Sequence, residues 1–348
     1  MKIVLLIGDI TTGGGGGAER VVSNLANAFC EYYEVELLSL YQTNETPAFP
    51  LNHKVKLNFL HHKERGMVRG KFYKLIDKFY ESYLLKKRYQ NCIIIYNNMP
   101  HYPIFKNKNT HYLHIIHIWQ NKYRKKFNTY DTLIVISKQQ KELLDCHHKD
   151  VTYIPNFLPQ ISNQNTNSNH KFVLSIGRFI QDKGFLRLID IWKRVQENAE
   201  FKDWKLIIVG EGVQKEQIED KIKALHLSTS IIIKPFTKEV EKEYLSASIY
   251  AMTSHKEGLP MVLLESCSYG LPSVAFDIAG LSDIIENEKS GFLIKDNDLE
   301  NYADKLQVLM RDEKLRKTMG ENAKELVKKR FSKEIVLKKW QDLFASLK

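Results

Sequence analysis

The stretch KIVLLIGDITTGGGGGAER, residues 2–20, runs from an unbroken apolar segment into five glycines and then into a pattern that opens a helix. Lys2 to Ile7 reads as a buried first strand, cut short by Gly8-Asp9 and far below the roughly 18 apolar residues that span a bilayer. Ile10 to Arg20 is then a glycine-rich turn, in which backbone amides and a helix N-terminus can approach a phosphate or a sugar closely. Its spacing departs from the G-x-G-x-x-G of dinucleotide folds, because Arg20 falls where no third small residue is supplied. Leu38-Ser39-Leu40 offers no acid for a ribose either, so a nicotinamide enzyme fits poorly.

The strand-then-helix alternation continues along the chain. Glu34 to Leu40, Cys92 to Tyr96, Thr132 to Ile136, Phe172 to Ile176, Lys205 to Val209, Ser230 to Ile233 and Ser273 to Phe276 are short β-rich runs separated by helical patterns. Nearly continuous apolar strands of this kind belong to parallel sheets covered on both faces. A length of 348 residues with 43% hydrophobic content is enough for two such domains. The polar, aperiodic stretch Pro159 to His170, with NQNTNSN at 163–169, is the natural linker. The expectation is therefore an α/β protein with a first Rossmann-like domain over 1–158, a linker at 159–170 and a second Rossmann-like domain over 171–331. A last helix over 332–348 can cross back to the first domain. Two doubly wound domains would offer a ligand crevice between them, at the carboxyl ends of their strands.

Charge is unevenly spread. The chain carries a formal net charge of +11, and residues 1–156 hold 22 Lys/Arg against 13 Asp/Glu, while residues 157–348 hold 30 against 28. A basic first half suits phospholipid headgroups, a phosphate-bearing substrate or nucleic acid. No recognised nucleic-acid module is present, so nucleic acid is not an expected partner. Within that half, Lys63 to Arg88 places Phe72, Leu75, Ile76, Phe79 and Tyr83 at helical spacing among nine Lys/Arg. It reads either as a helix packing this stripe on its domain or as a basic helix lying on an anionic membrane surface. Cys30, Cys92, Cys146 and Cys267 lack metal-ligand spacing and read as reduced thiols of a cytosolic protein.

Several motifs fall at predicted strand ends. Gly177-Arg178 and Lys183, in GRFIQDKG, leave the first strand of the second half and can converge on one diphosphate. Gly210-Glu211-Gly212 is a tight turn after the next strand. In EGLPMVLLE, residues 257–265, Pro260 suits a helix start, which leaves Glu257 in a loop and Glu265 inside the helix, both near its N-terminal amides. His111, His114 and His117 recur every three residues without a carboxylate partner, so they read as core and cleft residues and not as a metal site. Asp296-Asn297-Asp298 spells D-x-D but opens a helix at Leu299, so Asp298 reads as its N-cap. No metal and no cofactor are expected.

Taken in order, GGAER, Gly177-Arg178 with Lys183, Gly210-Glu211-Gly212, Glu257 to Glu265 as E-x7-E, and the segment FDIAGLSDIIENEKSG at 276–291 resemble the retaining glycosyltransferases of family 4. That resemblance spans nearly the whole chain and implies the GT-B fold. It also implies a donor site. Glu265 would bind the ribose of a nucleotide sugar and Glu257 the sugar ring, while Arg178 and Lys183 neutralise the diphosphate as the glycosidic bond breaks. Backbone around Leu259, Met261 and Val262 would face the donor, as would Gly16 and Gly17 of the first turn. The family's histidine after a first-domain strand is assigned to His114, over His111 and His117, as the catalytic partner of Glu257. Retention there proceeds without a protein nucleophile, the leaving phosphate taking the acceptor's proton, unlike the two-carboxylate glycosidases.

By the same resemblance, the first domain would hold the acceptor and the second the nucleotide. The reaction would move a hexosyl residue, from a UDP-linked donor, to a lipid-linked saccharide in bacterial O-antigen, lipopolysaccharide or capsule assembly. The enzyme would be cytoplasmic and peripheral on the inner face of the plasma membrane. Two other readings stay open: a nucleotide-sugar epimerase of the same fold, which needs no acceptor surface, and a basic nucleic-acid-binding protein.

Overall fold

The computed structural model describes residues 1–12, 16–61, 71–97, 102–237 and 239–347, with backbone alone for 71–75. Residues 13–15 of the glycine run and 63–70 of the basic segment lie outside the described residues. The chain divides into two compact units, one formed by Met1–Phe157 with Lys333–Lys348 and the other by Leu158–Ser332.

The first unit contains β1 (Lys2–Asp9), α1 (Gly17–Phe29), β2 (Glu34–Tyr41), β3 (Lys56–Phe59), α2 (Lys71–Arg88), β4 (Cys92–Asn97), β5 (His111–Ile116), β6 (Thr132–Val135), α3 (Lys138–Asp145) and β7 (Val151–Tyr153). Its seven strands form one parallel sheet in the order β3-β2-β1-β4-β5-β6-β7. Because β1 is central and buried on both faces, Ile3 to Leu6 are fully inaccessible, which is why that strand reads as an unbroken apolar run. β5 had no such run to betray it, since histidines occupy two of its six positions.

The second unit contains β8 (Phe172–Ile176), α4 (Phe185–Glu197), β9 (Lys205–Val209), α5 (Lys215–Ala224), β10 (Ile231–Lys234), α6 (Val240–Ser246), β11 (Ile249–Met252), α7 (Met261–Ser268), β12 (Ser273–Phe276), β13 (Gly291–Ile294), α8 (Leu299–Arg311) and α9 (Glu313–Phe331). Its sheet is also parallel, in the order β10-β9-β8-β11-β12-β13. Both sheets are doubly wound.

The stretch 159–170 is bound along the second unit. Thr166 N donates to Tyr269 O at 2.8 Å, Ser248 Oγ to Asn167 O at 3.2 Å, and Lys324 Nζ to Gln164 O at 2.9 Å. The buried Arg316 guanidinium reaches Ser168 O at 2.9 Å while also holding Leu309 O and Met310 O at the end of α8. Polar, aperiodic composition here supplies backbone and amide groups to a strap, so the stretch is no free spacer.

Helix α10 (Lys333–Ser346) belongs to the first unit. Trp340 and Phe344 are buried and meet Phe29 of α1 edge-on, with ring centroids 5.4 and 5.3 Å away.

Candidate active site

In the second unit, the loops after β8, β9 and β11 leave the carboxyl ends of neighbouring strands. Gly177 N donates to Val209 O at 3.0 Å and Phe179 N to Glu211 O at 2.7 Å, which zips the Arg178 loop to the Gly210-Glu211-Gly212 loop. A Cβ on Gly210 would stand 1.9 Å from Gly177 O, and one on Gly212 would stand 2.6 Å from Phe179 O. These glycines permit a close backbone approach and are more than a turn. Arg178, presented by this pair of loops, is exposed and has no ion-pair partner among the described residues.

Lys183 ends a 3₁₀ turn, Gln181–Lys183, closed by Gly184 in the left-handed region at φ +67°. A side chain at Gly184 would drive its Cβ to 2.0 Å from Thr253 O, so only glycine lets this turn abut the end of β11. The contact is reinforced by His255 N donating to Asp182 O at 2.7 Å and Thr253 Oγ1 to Gly184 O at 3.0 Å. Thus Lys183 and Glu257 meet. Lys183 Nζ lies 2.6 Å from Glu257 Oε1, and the same oxygen accepts from Ser254 Oγ at 2.7 Å.

Helix α7 starts after an extended Pro260 (φ −72°, ψ 120°), and no side chain caps it. The amides of Met261 and Val262 therefore have no intrahelical acceptor, and Leu259 leads into them. Glu265 sits one turn further on, 8% exposed, and its Oε2 accepts from Tyr244 OH at 2.9 Å. Tyr244 is itself fixed by stacking on Tyr269, with centroids 5.2 Å apart. The result is a cation-bound carboxylate before the helix and a tyrosine-bound carboxylate within it.

Arg187, which no motif singled out, braces the loop that carries Ser254 and Glu257. It is buried in α4, its Nε donates to Thr253 O and its Nη2 to Ser254 O, each at 2.6 Å, and its guanidinium lies 4.0 Å from the centroid of Phe276. Burial pushes its pKa down, and Asp296 opposes that shift at 2.7 Å. This explains the D-x-D triplet: Asp296 and Asn297 bind Arg187, while Asp298 Oδ1 accepts from Asn301 N at 3.1 Å as the N-cap of α8. A charge on the apolar stripe of a helix, one turn before Ile191, was the available signal. Among the described residues, no three His, Cys, Asp or Glu side chains gather as metal ligands.

In the first unit, Gly16 caps α1 without a side-chain hydrogen bond, and Gly17 opens the helix with nothing within 4 Å of an added Cβ. An added Cβ at Gly16 would meet only the flexible Glu19 carboxylate, at 2.3 Å. Neither glycine is required by its own conformation. His114 lies within β5, stacked on Tyr130 at 4.6 Å with Nδ1 3.2 Å from Tyr96 O, and burial followed by the repulsion of His117 pushes its pKa down to about 3. The strand runs on to Ile116 because Tyr112, Leu113, Ile115 and Ile116 all bury, so the histidine that follows the strand is His117. His117 Nε2 stands 3.0 Å from Asn97 Oδ1 at the end of β4.

Residues 158–326 match the family model described as glycosyl transferases, group 1. The amylovoran biosynthesis glycosyltransferase AmsD of Erwinia amylovora is 30% identical over 98% of this chain and 99% of its own length. A Campylobacter jejuni enzyme named GalNAc-α-(1→4)-GalNAc-α-(1→3)-diNAcBac-PP-undecaprenol α-1,4-N-acetyl-D-galactosaminyltransferase is 26% identical over 100% of this chain and 99% of its own. Among solved structures, a mutant of S. aureus TarM in complex with fondaparinux, α-GlcNAc-glycerol and UDP superposes with a TM-score of 0.83 at 18% identity, covering 99% of both chains. That likeness carries the GT-B fold.

Proposed function

This chain belongs to the group 1 glycosyl transferases, and from that premise we propose that it moves a hexosyl residue from a UDP-linked donor, with retention, onto a lipid-linked saccharide in bacterial surface polysaccharide assembly. The observation that carries the donor half of this reading is the Lys183–Glu257 pair beside the uncapped start of α7, one turn before the buried Glu265. An anionic diphosphate fits there. The free helix amides and the unpaired Arg178 would take its oxygens, and Lys183 would exchange one anion for another as charge builds on the leaving group. Glu265, held by Tyr244, would accept the ribose hydroxyls, and Glu257 would face the sugar ring. No side chain is asked to act as a nucleophile, and the departing phosphate would take the acceptor's proton. His117 replaces His114 as the histidine offered to the sugar.

The acceptor half rests on α2. Its inward side buries Glu81, Ser82 and Leu85, with Ser82 Oγ accepting from Ile104 N and Phe105 N at 2.9 Å. Ile76, Phe79, Tyr80 and Tyr83, by contrast, are 44% to 55% exposed, beside an exposed Phe105. Part of the stripe that could have packed on the domain thus faces outward, near Lys78, Lys86 and Lys87, which favours an anionic bilayer where a lipid-linked acceptor resides. Among the described residues, no helix is long and apolar enough to cross a membrane.

Thermal denaturation with UDP, GDP, ADP and CMP tests the donor site. At about one hundred times its dissociation constant a ligand adds about 2.7 kcal/mol, enough to move the midpoint by several degrees. UDP is expected to shift the wild type and to lose its effect in Arg178→Ala and Glu265→Ala. Wild-type protein indifferent to every nucleotide would overturn the donor site.

A further inference from the structure

Asn97, the last residue of β4, is fully buried, and the strand register sets it between Ile7 of β1 and Ile115 of β5. Its Nδ2 donates to Ile95 O at 3.0 Å, which turns its carbonyl oxygen toward His117 Nε2, also at 3.0 Å. A carbonyl oxygen only accepts, so Nε2 carries a proton, and the neutral ring keeps its lone pair on Nδ1. Nδ1 is buried and has no partner among the described residues. Burial separately pushes the ring's pKa down to about 4, which keeps it uncharged near neutrality. The pair lies at the carboxyl edge of a parallel sheet, where β1 also ends and its glycine-rich turn begins, the edge at which open α/β sheets take their ligands.

We propose that Asn97 is a positioning residue that holds His117 in the Nε2–H form, so that Nδ1 at this sheet edge accepts a hydrogen bond from a sugar hydroxyl. The ligand's identity as a sugar rests on the transferase reading; the proton's location does not. An acceptor nitrogen discriminates. A phosphate or carboxylate oxygen brings no hydrogen to it, so this edge recognises hydroxyl groups and leaves the diphosphate to cationic groups.

The test is nitrogen NMR on protein labelled with ¹⁵N-histidine at pH 7, with the His117 signals assigned through His117→Asn. Expected for the wild type are a protonated Nε2 and a bare Nδ1 whose resonance moves on adding UDP-glucose or UDP-N-acetylglucosamine, whichever the protein uses. Asn97→Asp would place a carboxylate at Nε2 and retain a second proton on the ring. Transfer should then fall by about tenfold or more, the worth of one well-placed hydrogen bond, while UDP affinity changes less than twofold. A proton on Nδ1 in the wild type overturns the proposal, as does an Asn97→Asp protein whose Nδ1 gains a proton while transfer is unaltered. Should Asn97→Asp not fold, the wild-type spectrum alone decides. A wild type that transfers no sugar but shows the expected protonation would count against the transferase reading and leave the role of Asn97 standing.

Discussion

His114 illustrates how hard it is to divide tasks among residues of one chemical type when their strand is not seen. Three histidines at equal spacing give no ranking among themselves, and only the length of β5 separates the one inside the sheet from the one beyond it. The burial of His114 has a measurable consequence. Its folded pKa is pushed down to about 3, and that of His117 to about 4, below an unfolded value near 6.5. Their stabilising effect is therefore complete above about pH 6.5 and is lost as pH falls toward the folded values, because the unfolded chain binds protons that the native one refuses. Each ring should lower stability by about 1.4 kcal/mol per pH unit below that point. Urea midpoints measured from pH 7 to pH 4 are expected to fall, and His114→Gln to fall less steeply. Equal slopes would show that the buried ring titrates no differently in the two states.

At the scale of elements, what could be read in advance depended on how completely an element is buried. Strands such as β1, β8 and β9 are covered on both faces and announce themselves as apolar runs. β3 and β7 are edge strands of three or four residues with partly exposed side chains, so neither stands out as an apolar run. The E-x7-E carboxylates were legible because a helix start lies between them. Arg187 and Tyr244 were not, since their partners are backbone carbonyls and a carboxylate reached only after folding. For α10 the burial is large and specific. Trp340→Ala should remove an edge-on contact with Phe29 of α1 and a tilted one with Phe344 of α10 itself, leaving a cavity that costs about 3–5 kcal/mol. Calorimetry of this variant should show a lowered transition for the first unit, and an unchanged one would mean that the helix is dispensable to it.

At the scale of the molecule, the basic excess of the first 156 residues and the outward aromatic stripe of α2 coincide in one unit. Replacing Lys78, Lys86 and Lys87 together by Gln should weaken flotation with vesicles containing anionic lipid, by about 1 kcal/mol for each cation at the surface. Raising salt should weaken the wild type in the same direction, and flotation unmoved by either change would rule out this face as the contact.

The first unit is also interrupted in sequence, because its last helix follows the whole of the second unit. Leu158 N donates to Phe331 O at 2.9 Å, so the chain leaves the second unit beside the point where it came in. During synthesis the second unit can therefore close on itself while Phe29 still waits for Trp340. At ordinary elongation rates that wait lasts roughly 15 to 60 s. For that interval only β1 and β2 cover α1, and the end of the helix around Phe29, which Trp340 and Phe344 will later cover, stands open on the ribosome for a chaperone to hold.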